Sequence, residues 1–493
     1  MSTESEEIRR NVRKAFTMHC IDLSKESLTY LTNYVKNLEK DARQKTIERV
    51  ISLIEKEDET SGEILNLDTL KDIIKLSAET KAKAGEVFKL ENVVDWKPVV
   101  YDKYSKKFSA TNRVGFTKMP SFEVLRRRFE IVRSLLDNTS AFNYENSVEA
   151  LISKNNVRVR VLGMLVRGPK DDLLIEDLTG SVQIDLVEED LAAVFVSPAL
   201  YFEGGIYVFE GVHVAGLLKV KSISLPPLCA NLFSAEPVAG ASKPIEDAND
   251  RLVFLSDVLL DNPRVMKALY QILQGFSSCP PNAFVLCGRF SQAQLAYGYT
   301  DASRVAFRHL ANLLAEFSAH FTSTQFVFVP SLDDPLPVNM LPCFSLPPSI
   351  TELFSAMSNV HFASNPCRIH FKGRTIVVYR DDIVEKLCRT SIHVTENTKE
   401  IPEHFGDTVW AQRHLTPLPL HLNPVLPHFD HIFALWPAPD VLVVADKFKS
   451  FVLAENARRR LTFNPGSFSL SNFEFQVFYP ATNCVEASSL TVD

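Results

Sequence analysis

RLVFLSDVLLDNPRVMKALYQILQGFSSCPPNAFVLCGR, residues Arg251 to Arg289, is the stretch whose punctuation decides the fold. Leu252 to Leu255 is an apolar run that stops at Ser256-Asp257. Val265 to Leu273 carries apolar residues at helical spacing, with Pro263 before its first turn. Ala283 to Cys287 is a second apolar run, and it stops at Gly288-Arg289. Two apolar strands flanking a helix predict a right-handed βαβ unit, and ligand chemistry in such units sits at the carboxyl ends of the strands.

The surrounding chain has 493 residues, too many for one core, so two to four domains are expected. A net charge of −7 argues against a bulk electrostatic grip on nucleic acid, while leaving room for a local patch. Cys20, Cys229, Cys279, Cys287, Cys343, Cys367, Cys388 and Cys484 are scattered without CxxC spacing, which disfavours a zinc ribbon. Together with the polar start MSTESEEIRR, this implies a reducing compartment, cytosol or nucleus. No run approaches ~20 apolar residues, so no membrane span is expected.

Residues 1–84 read as a helical domain. Leu28, Leu31, Val35 and Leu38 form one apolar face after a Ser24 cap; Ile47, Val50, Ile51 and Ile54 form another, and a fourth helix opens at Asp68. Residues 85–145 are a linker with one helix, capped by Ser121 and carrying Phe122, Leu125, Phe129, Val132 and Leu136 on one face; its Arg126-Arg127-Arg128 reads as a solvated basic face. Residues 146–230 switch to period two. Val157, Val159 and Val161 alternate with arginines, and a Thr179-Gly180 turn joins two short strands, which fits an OB-type β-barrel. The acidic residues Glu176, Asp177, Asp185, Glu188, Glu189 and Asp190 favour a structural or docking barrel over one that binds single-stranded DNA. Residues 231–493 open with a polar linker to about 250. Strands and helices then mix over about 240 residues, the size of a two-sheet phosphoesterase-type sandwich. The fold class is therefore multidomain α+β.

A two-metal phosphoesterase needs carboxylates and imidazoles converging from several strand ends on cations ~3.5–4 Å apart. The positions can be followed here, and most lack a ligand. Asp257 is present, but Leu259 stands where a histidine belongs. Gly288 is followed by Arg289 in place of the bridging Asp. Ser331-Leu332-Asp333-Asp334 replaces G-N-H-D, Arg380-Asp381 follows Tyr379, and Ala445-Asp446-Lys447 replaces G-H-x-H. Leucine offers no donor atom and a guanidinium repels a dication. Asp257 reads as a cap or ion-pair residue, His414 as a hydrogen-bonded structural histidine, and Asn464-Pro465-Gly466-Ser467 as a turn. Arg289 is expected to replace the metal charge by pairing with Asp257, Asp333 or Asp334.

The stretches FLSDVLLD (254–261), FVLCGRFS (284–291), FVFVPSLDDP (326–335), SNPCRI (364–369), HLTPLPL (414–420), PDVLVVADKF (439–448), FNPGSFS (463–469), FQVFYP (475–480) and LLIEDLTGSVQIDL (173–186) resemble the B-subunit family of replicative DNA polymerases, its epsilon branch above all. The resemblance implies a helical domain similar to an AAA+ lid, an OB barrel and an inactivated calcineurin-like metallophosphoesterase domain of αββα layout. It implies a nuclear, non-catalytic accessory subunit with no cofactor. Its partners would be the metal-containing carboxy-terminal module of the catalytic subunit of DNA polymerase epsilon and replicative helicase components, with DNA met indirectly or through a weak direct contact. The Phe-rich loop Leu341 to Phe354 is a candidate for the partner contact. Two other classes compete: an active phosphoesterase or nuclease built from Asp257, Asp333 or Asp334 and His414, and a single-stranded DNA binder acting through the barrel.

Overall fold

The computed structural model describes residues 3–19, 24–36, 43, 51, 88–102, 107–110, 121–137, 147–186, 191–227, 247–292, 299–336, 338, 340–395, 399–455 and 460–491. Apart from Ile51, the expected helices at 47–54 and 68–77 lie outside the described residues, as does the linker at 231–246. The chain divides into two compact units, Met1–Lys89 and Leu90–Asp493.

In the first unit, α1 (Thr3–Met18) and α2 (Lys25–Lys36) pair. Ile8, Val12 and Phe16 recur at i, i+4 and i+8 and are buried, as are Leu28, Leu31 and Val35. Ser24 accepts the Ser27 N–H at 3.1 Å and so starts α2.

The second unit begins its large architecture with α3 (Ser121–Asp137) and a closed five-stranded barrel. The barrel strands are β1 (Val157–Arg167), β2 (Leu173–Glu176), β3 (Ser181–Leu186), β4 (Ile206–Val214) and β5 (Leu217–Ser224), in the order β1-β2-β3-β5-β4. Period-two alternation puts Val159, Val161, Ile175, Ile184, Phe209, Leu218 and Val220 inside. Phe129, Val132 and Leu136 of α3 pack on Leu162, Met164 and Val208 of the barrel's outer face, whereas Phe122, expected on the same face, is 66% exposed in the helix's first turn.

Two sheets follow. The first runs β9 (Val360–Phe362), β8 (Gln325–Val329), β7 (Ala283–Cys287), β6 (Leu252–Ser256), β15 (Phe475–Tyr479) and β16 (Cys484–Ser488). The pairings from β9 through to β6 are parallel, and β15 is antiparallel to β6. The second contains β10 (Cys367–Phe371), β11 (Arg374–Arg380), β12 (Val441–Ala445), β14 (Arg460–Asn464) and β13 (Phe451–Glu455), in that order. Between β6 and β7 runs α4 (Pro263–Phe276), started by Asn262, whose side chain accepts the Arg264 N–H at 3.0 Å, and by Pro263 in the first turn. The expected strand–helix–strand unit is thus present and parallel.

Every residue of β6 and β7 is buried, because both faces of this sheet are covered. Val253 and Leu255 share one core with α4 and with α5 (Tyr299–Glu316). Phe254 points the other way and meets the edge of Phe463 from β14 at 5.2 Å. Val377 and Tyr379 of β11 pack with α6 (Ile383–Thr390) and α7 (Ile401–Gln412). Helices α4 and α5 thus cover the first sheet and α6 and α7 the second, with the strand ends of both sheets available to build one site. Each fully buried Val, Leu or Phe here contributes on the order of 1.5–3 kcal/mol.

The barrel is fastened to the second sheet's helices. Gln412 at the end of α7 accepts the Ile206 N–H at 2.8 Å and donates to the Ile206 carbonyl at 2.7 Å. The short strand Leu200–Phe202 pairs antiparallel with Ser391–Val394.

Candidate functional site

At the carboxyl ends of the two sheets, a guanidinium lies between Asp257, expected from the sequence, and Asp382, which is not. Arg380, the last residue of β11, is 2% exposed. Its Nη2 donates to Asp257 Oδ1 at 2.7 Å, just past β6, and its Nη1 to Asp382 Oδ1 at 2.8 Å and to the Ala445 carbonyl at 3.1 Å, at the end of β12. Its Nε donates to the Gly288 carbonyl after β7. Burial works against this charge, but Asp257 and Asp382 outweigh it and hold the guanidinium protonated. Lys447 closes the outer side, its Nζ at 2.7 Å from Asp382 Oδ2. Burial also opposes ionisation of Asp382, yet Arg380 and Lys447 prevail and bring it down to about 2.

Two further carboxylates are buried alongside. Asp334 accepts the Phe290 N–H at 2.7 Å and the Ser331 N–H at 2.7 Å; burial still pushes its carboxyl up to about 6. A side chain at 288 would place its Cβ 1.9 Å from Asp334 Oδ2, so the end of β7 must be glycine. Asp446 caps the first turn of α6 by accepting the Val384 N–H at 2.9 Å, and accepts the Phe448 N–H at 2.8 Å; burial pushes it up to about 7. Asn464 does more than close a turn. Its Oδ1 accepts the Asp446 N–H at 3.1 Å and the Gly466 N–H at 2.9 Å, and its Nδ2 donates to the Phe448 carbonyl at 2.8 Å. Asp381 sits to one side, bound by Lys386 at 2.6 Å and the Tyr379 hydroxyl at 3.0 Å.

The structure thus gathers Asp257, Gly288, Asp334, Arg380, Asp446, Lys447 and Asn464. It separates the rest. Leu259 is buried in the apolar core. Arg289 does not carry the substitute charge: its backbone N–H approaches Asp257 Oδ1 at 3.4 Å, while its Nε is buried without a hydrogen-bond partner, and the ion pair to Asp257 belongs to Arg380. The Asp333 N–H donates to the Ser331 hydroxyl at 3.2 Å in its own loop. His414 lies with Asp430, its Nε2 3.4 Å from Asp430 Oδ1, and burial holds its pKa below the usual value.

Asp430 is the acceptor for a residue that the sequence pattern places in solvent. Arg126 and Arg127 do pair at the surface of α3 with Glu123 and Glu130. Arg128 is instead 5% exposed, with Nη2 at 2.6 Å from Asp430 Oδ1 and Nη1 donating to the Leu418 carbonyl at 2.9 Å. Its place three residues after Leu125 and four before Val132, on the apolar face, is the signal that could have found it. The Leu341–Phe354 segment is mostly turned inward at its apolar positions. Leu341, Cys343, Leu346, Ile350 and Phe354 are buried within the chain itself, while Phe344 and Leu353 are partly exposed.

Among the described residues, no group of three or more His, Cys, Asp and Glu side chains is placed to hold a metal ion. The donor set does not suit one: the point where the strand-end oxygens converge holds a positive side chain. On the barrel, the strand aromatics Tyr207 and Phe209 are fully buried, so its described strands present no ring on which a base could stack. Arg158 and Arg160 on its outer face both pair with Glu210.

Residues 252–453 match the family model for the B-subunit of DNA polymerase alpha/epsilon, residues 119–227 that for the DNA polymerase epsilon subunit 2-like OB-fold domain, and residues 4–75 that for the DNA polymerases epsilon N terminal region. The chain is 32% identical to the probable DNA polymerase epsilon subunit 2 of Caenorhabditis elegans, over 100% of this chain and 96% of that protein. It is 30% identical to DNA polymerase epsilon subunit 2 of Bos taurus and of Homo sapiens, over 98% of this chain and 99% of each. With three models matched in order and relatives aligned along almost their whole length, the chain belongs to the DNA polymerase epsilon subunit 2 family.

Proposed function

We propose that this chain is a non-catalytic scaffold: it holds the metal-containing carboxy-terminal module of the catalytic subunit and links it to replicative helicase components in the nucleus. As a member of its family it is an accessory subunit of DNA polymerase epsilon, and the catalytic subunit is its partner. The observation that carries the scaffold reading is Arg380. A buried guanidinium bonded to Asp257, the Gly288 carbonyl and the Ala445 carbonyl stands where a phosphoester site would need cations. In this reading residues 231–493 are an inactive calcineurin-like phosphoesterase domain of αββα layout, 146–230 an OB barrel used for docking, 85–145 a linker and 1–84 a lid-like helical domain.

The test has two arms. The full chain mixed with the carboxy-terminal segment of the catalytic subunit is expected to elute as one 1:1 species by size exclusion with light scattering. With Mn²⁺ or Mg²⁺, model phosphodiesters and single-stranded DNA are expected to turn over no faster than with Asp257→Ala. Robust turnover abolished by Asp257→Ala would sink the scaffold reading in favour of an active phosphoesterase.

A further inference from the structure

We propose that the outer edge of β13, with the cleft at its start, is a docking surface for an extended peptide segment of a partner protein, one that carries a bulky apolar side chain flanked by a carboxylate. β13 (Phe451–Glu455) is the last strand of the second sheet: β14 holds one side of it, and among the described residues no strand pairs with the other. Alternate N–H and C=O groups of an outermost strand point away from the sheet, where an added strand can bond them. Such edges are normally blunted by lysine, proline or a bulge. Here Phe451, Val452, Leu453 and Ala454 are all apolar, and the register with β14 runs without a shift. One face of the strand is covered by α7: a Cβ added at Gly406 would stand 2.7 Å from Leu453 Cδ1. Val452 and Ala454, on the opposite face, are exposed. A bare backbone edge favours a peptide over a nucleic acid, which has no ladder to offer.

The strand starts beside a cleft of about 660 Å³, bounded by the first turn of α7 and the loop before β13. Val394, Ile401, Pro402, Phe448 and Phe451 give it an apolar lining. Its walls are held in place. The Asn464 side chain donates to the Phe448 carbonyl at 2.8 Å, and Phe451 meets the edge of Phe405 at 6.2 Å. Glu400 and Glu403 cap α7 reciprocally, the Glu400 N–H donating to Glu403 Oε2 at 3.0 Å. A preformed apolar cleft of this kind suits one bulky side chain of a ligand. The charges around it select that side chain's neighbour. Glu400 is engaged at the helix cap, and Lys399 pairs with Asp407 at 2.8 Å. Burial keeps His404 below its usual pKa, so it adds no charge at neutral pH. Lys449 is exposed and makes no ion pair among the described residues. The unanswered charge at the mouth is therefore positive, and a carboxylate complements it. This surface is additional to the scaffold reading and does not depend on it.

The experiment selects random peptides of roughly ten residues, long enough to span the strand and the cleft, on the full chain by phage display, and remakes the selected sequences as free peptides. They are expected to alternate apolar and polar residues, with Asp or Glu beside a bulky apolar one. In hydrogen–deuterium exchange such a peptide is expected to slow amides within residues 451–455 and to leave the barrel unchanged. By fluorescence polarisation, Lys449→Glu and Val452→Asp, both at exposed positions, are each expected to weaken binding about tenfold. Val94→Asp, at an exposed valine elsewhere, is expected to bind as wild type does. A selection that yields no binder overturns the proposal. So do selected peptides that are basic or helical, that protect another surface, or that bind Lys449→Glu and Val452→Asp as tightly as wild type. A dimer of the chain that Val452→Asp dissociates, seen by light scattering, overturns it too, because the edge then belongs to a second copy. Failure to form a complex with the catalytic subunit's segment would count against the scaffold reading only.

Discussion

Arg380 and Arg128 are buried to about the same degree, at 2% and 5% exposure, yet they sit in different electrical surroundings. Arg128 is matched one to one: Asp430 takes its charge, the Leu418 carbonyl takes a further N–H, and His414 beside them is held toward its neutral form. Arg380 is outnumbered. Asp257 and Asp382 touch it, and Asp334 and Asp446 lie within its field. The matched pair is a joint between α3 and the 3-10 helix Pro427–Phe433, its two residues 302 positions apart. The outnumbered arginine gathers strand ends. A matched pair has no spare partner, whereas a crowded one has several, and this sets how each fails.

The largest expected difference is between their carboxylates. Asp430→Asn removes the carboxylate bound to Arg128 and is expected to cost about 3–5 kcal/mol by urea unfolding. Asp382→Asn leaves Arg380 with Asp257 and nearby acids, and is expected to cost less than half as much. Equal losses would break the comparison.

Next comes pH. The Asp430 carboxyl is held below its ordinary value: burial opposes this, but the Arg128 guanidinium outweighs it. Its contribution is present above the unfolded aspartate value of about 3.9 and is lost as pH falls further. Asp446 is raised to about 7 by burial, so its contribution has the opposite sign: the folded state binds the proton more tightly, and stability falls as pH rises from about 4 toward 7. Asp446→Asn is expected to flatten that slope by about 2–4 kcal/mol between these limits. A slope that persists unchanged would place the titrating group elsewhere.

The smallest effect calibrates the other two. Arg158 pairs with Glu210 on the barrel surface at 69% exposure, and Arg158→Ala is expected to change stability by less than about 0.5 kcal/mol.

Much of this is legible in the sequence, and the exceptions have physical causes. β6, β7 and β12 stand out as apolar runs because both faces of their sheets are covered. Asp257, Gly288 and Asp446 follow from where those runs stop. The expectation that fails is Arg289 in the place that Arg380 takes. Both arginines lie at strand ends, and adjacency to Gly288 favours the former. The pleat decides otherwise: Ile376, Val378 and Arg380 share one face of β11, while Val377 and Tyr379 point to the helices. That parity is visible in the sequence, but which face meets the second sheet is not. Asp430 is out of reach for another reason, since nothing local ties it to an arginine 302 positions earlier.

The pairing of Leu200–Phe202 with Ser391–Val394 has a consequence for synthesis. The ribosome delivers the first strand roughly 190 residues before the second, a wait on the order of ten to forty seconds at ordinary elongation rates. During that interval the Leu200–Phe202 edge stays unpaired, next to a barrel that can otherwise close, and an unpaired strand edge is a template for the wrong neighbour. Translation arrested short of residue 391 therefore leaves an aggregation-prone nascent chain.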